Sequence, residues 1–180
     1  MINYILKALV TWGGLGVLAV YNIGDKVVYP MHGAGIIEAI EEQEVLGEKQ
    51  HYYIMAMPIG DMKVMIPMSS VDSIGLREVI TADEAEQVIQ ILRGERSGMS
   101  QNWNHRYRAN MEKIKSGDVY SVAEVVRNLS LRDREKGLST GERKMLETAR
   151  QILISELVLA QESTEEQVHT MLVEFFEERG

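Results

Sequence analysis

TADEAEQVIQILRG, Thr81 to Gly94, decides how the chain divides. Thr81 offers a capping hydroxyl, Glu84 stands three residues on to complete a capping box, and Gly94 supplies the exit, so the stretch predicts a short amphipathic helix. Before it the pattern is that of short strands, and the last proline is Pro67. After it the apolar period is helical. The chain therefore predicts an α+β multidomain protein, with a small β domain over residues 21–80 and an all-α domain over residues 81–180.

Towards the N-terminus, "DKVVYP" and "GIIEAIEE" are β-branched runs separated by "MHGAG", where Gly33 and Gly35 permit turn conformations that side chains resist. "HYYIMAMP" and "MKVMIP" follow, with turns expected at Leu46 to Lys49 and at Ile59 to Asp61. Pro30, Pro58 and Pro67 fall at strand ends, where a missing N–H costs least. Four or five such strands in so short a span predict a small, strongly bent barrel of SH3-like or Tudor-like type.

Towards the C-terminus four more helices are expected: Asn102 to Gly117, Asp118 to Gly137, Ser139 to Gln161, and one opening at Ser163. Ser139 with Glu142 and Ser163 with Glu166 repeat the capping-box spacing. Five helices with short connections make a bundle. Its apolar stripes comprise Val88, Ile91 and Leu92; Val122, Val125, Val126 and Leu129; and Met145, Ala149, Ile152, Leu153 and Leu157.

The first twenty residues do not fit either half. "MINYILKALVTWGGLGVLAV" is apolar, but the stretch Ala8 to Val20 contains four polar or glycine positions and falls short of the roughly 20 residues that span a bilayer. A signal peptide is the rival reading, with Lys7 as a weak n-region and Val17-Leu18-Ala19 like a cleavage site. A third reading comes from the codons: Gly13-Gly14 can be written as a ribosome-binding sequence and Val17 as a GTG start. Residues 1–20 are accordingly read as a non-native or disordered extension, with the natural chain beginning near Val17.

Chemistry is sparse. Cysteine is absent, which removes disulfides, thiolate metal sites and cysteine nucleophiles. His32, His51, His105 and His169 are far apart, and none pairs at ligand spacing. "HGAG" lacks the pattern of a phosphate loop and reads as a tight turn. The expectation is a protein that is not an enzyme and uses no metal or cofactor.

Charge is more informative than motif. The net charge is −8, yet residues 93–115 hold six basic and two acidic side chains, and residues 127–150 hold seven and four. Screening limits the reach of a charge to about 8 Å in physiological salt, so local sign rather than net sign governs contact with a phosphate backbone. In a helix opening near Asn102, Trp103, Arg106 and Tyr107 stand at i, i+3 and i+4 with Arg108 beside them. Trp103 either seals the bundle with Tyr107 or acts as an apolar wedge on a base step while Arg106 and Arg108 hold phosphates. A second basic site, Arg143 and Lys144, follows Gly141 in the opening turns of the next helix, where the free N–H groups and the dipole suit an anion.

The stretches "YNIGDKVVYPMHGAGIIEAIEE", "GEKQHYYIMAMPIGDMKVMIP", "NWNHRYRANMEKIKSGDVYSVAEVVRNL" and "RDREKGLSTGERKMLETARQILISELVLA" resemble the bacterial CarD family, also called CdnL. The resemblance runs from residue 20 to about residue 175 and preserves two dissimilar domains in order. It implies a cytoplasmic, nucleoid-associated transcription regulator, monomeric and not membrane-bound. Its Tudor-like domain would bind the β subunit of RNA polymerase, and its helical domain would contact promoter DNA through the minor groove without strong sequence preference. A tryptophan in that family wedges into the upstream edge of the transcription bubble and stabilises the open complex, and Trp103 stands at its position. Arg108, Arg143 and Lys144 match basic positions. The polymerase contact would fall on strands carrying Gln43, Val45, Lys63 and Met65. Some relatives have arginines at Gln43 and Met65, so this contact leans on strand-edge pairing and apolar packing. His105 replaces a further arginine. Two other functions compatible with the residues are a protein–protein adaptor that never touches DNA, and a ribosome-associated RNA binder of the KOW type.

Overall fold

A computed structural model of the chain describes residues 21–177; the expected extension, residues 1–20, lies outside them. The first half is one antiparallel five-stranded sheet in the order β4-β3-β2-β1-β5. Its strands are β1 (Lys26–Tyr29), β2 (Gly33–Val45), β3 (Glu48–Ala56), β4 (Lys63–Pro67) and β5 (Arg77–Glu78), with the single-turn helix α1 (Val71–Ile74) between the last two. A register shift between Ile37 and Ala39 marks a bulge in β2, which bends the strand and strengthens its twist. The sheet closes over Tyr21, Val27, Ile37, Tyr53, Met55 and Ile66. Tyr21 fastens the start of the domain: its hydroxyl donates to the Leu76 carbonyl at 2.9 Å, and its N–H donates to the Tyr53 hydroxyl at 3.0 Å.

The β2–β3 turn is tighter than the expected four residues. Val45 pairs directly with Glu48, and Leu46 and Gly47 alone make the turn, at φ 54° and 82°. Two positive φ values in a two-residue loop match the right-handed twist of the flanking strands. Leu46 takes this conformation fully exposed at the tip.

The second half contains α2 (Ala82–Arg93), α3 (Trp103–Lys115), α4 (Val119–Lys136), α5 (Thr140–Ala160) and α6 (Glu165–Glu177). The caps stand where the sequence places them for α2 to α5: Thr81, Asn102, Asp118 and Ser139 each accept a backbone N–H of the first turn. The last one moves. Thr164 and Gln167, not Ser163 and Glu166, exchange the reciprocal bonds that open α6. Every expected stripe residue is buried except Ile91, which packs against the core half-buried. The helix α4 packs against α2, α3 and α5. Among the described residues no helix is long and apolar enough to cross a membrane.

The two halves share a polar seam along the C-terminal part of α5. Glu156, 1% exposed, accepts both terminal nitrogens of Arg77 at 2.6 and 2.9 Å and the Ile80 N–H at 3.2 Å. Ser155 Oγ accepts the Ala34 N–H at 2.8 Å, and Lys26 Nζ donates to the Leu159 carbonyl at 3.0 Å. Gly33, at φ 107°, lies so near that a Cβ there would stand 2.5 Å from Ser155 Oγ. The backbone of β2 can approach α5 because that position has no side chain.

Candidate nucleic-acid interface

The N-termini of α3 and α5 meet at one corner of the bundle. Ser139, the N-cap of α5, forms a full capping box with Glu142. Its hydroxyl also accepts the indole N–H of Trp103 at 3.0 Å. Trp103 stacks on Tyr107 with centroids 5.1 Å apart and planes 28° from parallel. Beneath the pair lies Gly141, whose Cβ would sit 3.5 Å from the tyrosine ring and 3.6 Å from the indole. The indole is nevertheless 43% exposed. An aromatic ring of that size left open to water, yet fixed by a hydrogen bond and a stack, is a presented surface.

Arg106 does not join it. The side chain is 4% exposed and donates from Nε to Glu142 Oε1 at 2.6 Å, and from a terminal nitrogen to the carbonyls of Ser100 and Gln101 at 2.8 and 3.2 Å. The expected phosphate role is therefore withdrawn: the guanidinium is a strut of the corner. Burial raises the Glu142 carboxyl pKa, but the hydrogen bonds from Arg106 and Ser139 outweigh it and hold the group below the usual carboxylate range. One carboxylate thus ties the α5 cap, which orients Trp103, to the arginine of α3. Sequence spacing showed the capping box but gave no sign of the second tie, because Arg106 and Glu142 are 36 residues apart.

The other cations remain outside. Arg108, Arg143 and Lys144 are exposed, as is His105. Lys144 lines the same groove as Tyr107, a cavity of about 240 Å³ floored by Met31, Met111 and Met145. Lys144 is thereby placed beside the aromatic pair. Arg143 stands one residue before it, with a long contact of 3.5 Å to the Leu138 carbonyl.

A second surface lies on the sheet. Residues paired across antiparallel strands share a face, so the rows Val45/Glu48, Gln43/Gln50, Ala39/Ile54/Met65 and Ile36/Ala56/Lys63 all point to one side. Gln43, Val45, Lys63 and Met65 thus occupy one face, opposite the side of the sheet that carries Ile37, Tyr53, Met55 and Ile66. They do not form one cluster. The Gln43 and Met65 rows are four residues apart along β2, roughly 13 Å, and β2 and β4 lie on either side of β3, roughly 10 Å apart. Ile36, Val45 and Met65 are exposed, and Lys63 is held to Glu38 at 2.6 Å. The free side of β4 is an edge of the sheet, so its outward backbone groups can pair with another chain. No group of His, Asp or Glu able to hold a metal ion occurs among the described residues.

Comparison with known proteins covers both halves. The family model described as the CarD-like/TRCF RID domain matches residues 21–80, and that described as the CarD C-terminal domain matches residues 87–173. YdeB of Bacillus subtilis (strain 168), provisionally named a transcription factor, is 46% identical over 148 residues, which is 82% of this chain and 97% of that protein.

Proposed function

The chain belongs to the CarD family, and we propose that it is a non-catalytic transcription factor that bridges RNA polymerase and promoter DNA. In this reading the outer face of β2, β3 and β4 holds the β subunit of the polymerase through edge pairing and the apolar side chains Ile36, Val45 and Met65. The α3–α5 corner lies on the DNA. Trp103 enters the minor groove at the upstream edge of the bubble, and Arg108, Arg143 and Lys144 neutralise the flanking phosphates. Three exposed cations give weak binding that does not depend on sequence. Tethering to polymerase supplies the missing affinity as effective concentration. The protein works as a monomer in the cytoplasm, on the nucleoid.

The observation that supports this reading best is the state of Trp103, open to water and yet held in one orientation by Ser139 and Tyr107. A wedge needs both properties. The test is the lifetime of the open complex on a purified promoter, with and without the protein. The native chain should lengthen it. Trp103→Ala should still be retained by polymerase and should lengthen it no further than buffer does. If the native chain binds polymerase without altering the lifetime, the adaptor reading replaces this one; if it is retained by ribosomes and not by polymerase, the RNA-binding reading does.

A further inference from the structure

Between the loop 96–101 and the last turns of α4 lies a cavity of about 170 Å³ lined by Arg96, Arg132 and Lys136 together with Gly98, Met99 and Gln101. It is separate from the aromatic corner. We propose that it is a binding site for a phosphate group.

Arg132 is short of partners. Its Nε is sealed from water and faces Glu142 Oε1 only at 3.9 Å, an oxygen that already receives Arg106 at 2.6 Å, while its two terminal nitrogens stay accessible and make no hydrogen bond among the described residues. The other Glu142 oxygen serves Ser139. Two guanidinium groups thus converge on one carboxylate, and the one left unsatisfied borders the cavity. A guanidinium whose one carboxylate neighbour is distant keeps its terminal N–H groups for an anion.

The rest of the lining has the same bias. Lys136 makes no hydrogen bond or ion pair among the described residues. Arg96 is held by Glu135 at 2.6 Å. Gly98 and Met99 belong to the same lining, and their backbone N–H groups make no hydrogen bond among the described residues. Asp133, the remaining acidic group on this part of α4, is occupied in accepting the Leu138 N–H.

The loop is held ready. Ser97 is fixed on one side by Arg127 and Asn128, whose nitrogens donate to its hydroxyl at 3.0 and 2.8 Å, while its N–H donates to Asn128 Oδ1. The carbonyls of Ser100 and Gln101 are fixed on the other side by Arg106. Gly98 and Met99 therefore span two anchored points. Three cations and free amides on a fixed frame suit the tetrahedral oxygens of phosphate, which arginine meets with paired donors. Two sources can present that group, a nucleic-acid backbone and a small phosphate-bearing molecule.

The test uses the full chain and follows the Arg132 Nε–Hε and the Gly98 and Met99 amide signals by NMR during titration with inorganic phosphate, against chloride of equal ionic strength. Saturating shifts with phosphate only are expected, and Lys136→Gln should weaken binding about tenfold. Lys136 has no partner to lose, so that variant keeps its fold; Arg132→Gln provides the second variant. Shifts that chloride reproduces, that never saturate, or that persist in both variants would overturn the site. A parallel titration with a short duplex identifies the source. If the two variants lower the salt slope of duplex binding by about one, the phosphate is that of DNA. If the slope is unchanged while inorganic phosphate still binds, the ligand is a small phosphate. Trp103→Ala should leave the phosphate titration as it is, so this site and the wedge stand or fall separately.

Discussion

Replacing Arg106 by Met separates a strut from a phosphate contact. The substitution keeps much of the apolar volume and removes the Nε bond to Glu142 and the two bonds that pin Ser100 and Gln101. Glu142, 2% exposed, keeps only Ser139 and the more distant Arg132. Breaking one side of a buried ion pair costs about 3–5 kcal/mol, whereas replacing both partners by apolar groups is often close to neutral. Arg106→Met should therefore lower the urea midpoint of the helical domain by roughly 2 M, for a slope of about 2 kcal/mol/M. Arg106→Met/Glu142→Met should recover much of that, although the Ser139 cap then loses its partner and part of the loss remains. DNA binding supplies the second readout. At a concentration of folded protein, Arg106→Met should leave the salt slope unchanged, while Arg108→Gln and Lys144→Gln should each reduce it by about 0.9. An Arg106→Met protein as stable as the parent, with a flattened salt slope, would refute the strut and restore the phosphate contact.

Other expectations are as direct. Trp103→Ala removes one hydrogen bond and one ring stack from a half-open side chain, so the loss should be about 1–3 kcal/mol, below the 3–5 of a core tryptophan, measured by denaturant unfolding. Glu142 titrates below the usual carboxylate range when folded, so its contribution is complete above about pH 4.5 and disappears as pH falls through its lowered value. Unfolding followed from pH 7 to pH 3 should show that loss, and Glu142→Gln should lack it. Gly33→Ala adds a methyl 2.5 Å from Ser155 Oγ at a left-handed φ, and should loosen the seam, seen as faster hydrogen exchange at the Ala34 amide.

What the sequence announces here is local, and what it hides is the pairing of distant residues. The caps at Thr81, Asn102, Asp118 and Ser139 are readable because their partners lie within one helical turn. The full length of β2 is not, since "EEQEV" carries charge on both faces and conceals the alternation until β3 pairs with it. Leu46 at positive φ is equally hidden, because leucine is not a residue that signals such a turn. On α3, the spacing of Trp103, Arg106 and Tyr107 gives a side of the helix but not which of the three turns inward. That choice is made by Glu142, already claimed by Ser139, and a carboxylate with two duties looks like one with a single duty. Ser163 misleads for the opposite reason: the pattern of a capping box fits two overlapping positions, and Thr164 with Gln167 takes the helix.

The helix α5 has a further consequence. Its first turn carries Ser139 and Glu142, which set the indole, and its final turns carry Ser155 and Glu156, which grip the sheet. At 21 residues it is about 32 Å long. It works as a gauge rod between the two halves: the separation of tryptophan from sheet is written in a residue count, and adding one residue to the rod would lengthen it by 1.5 Å and turn one end against the other by about 100°.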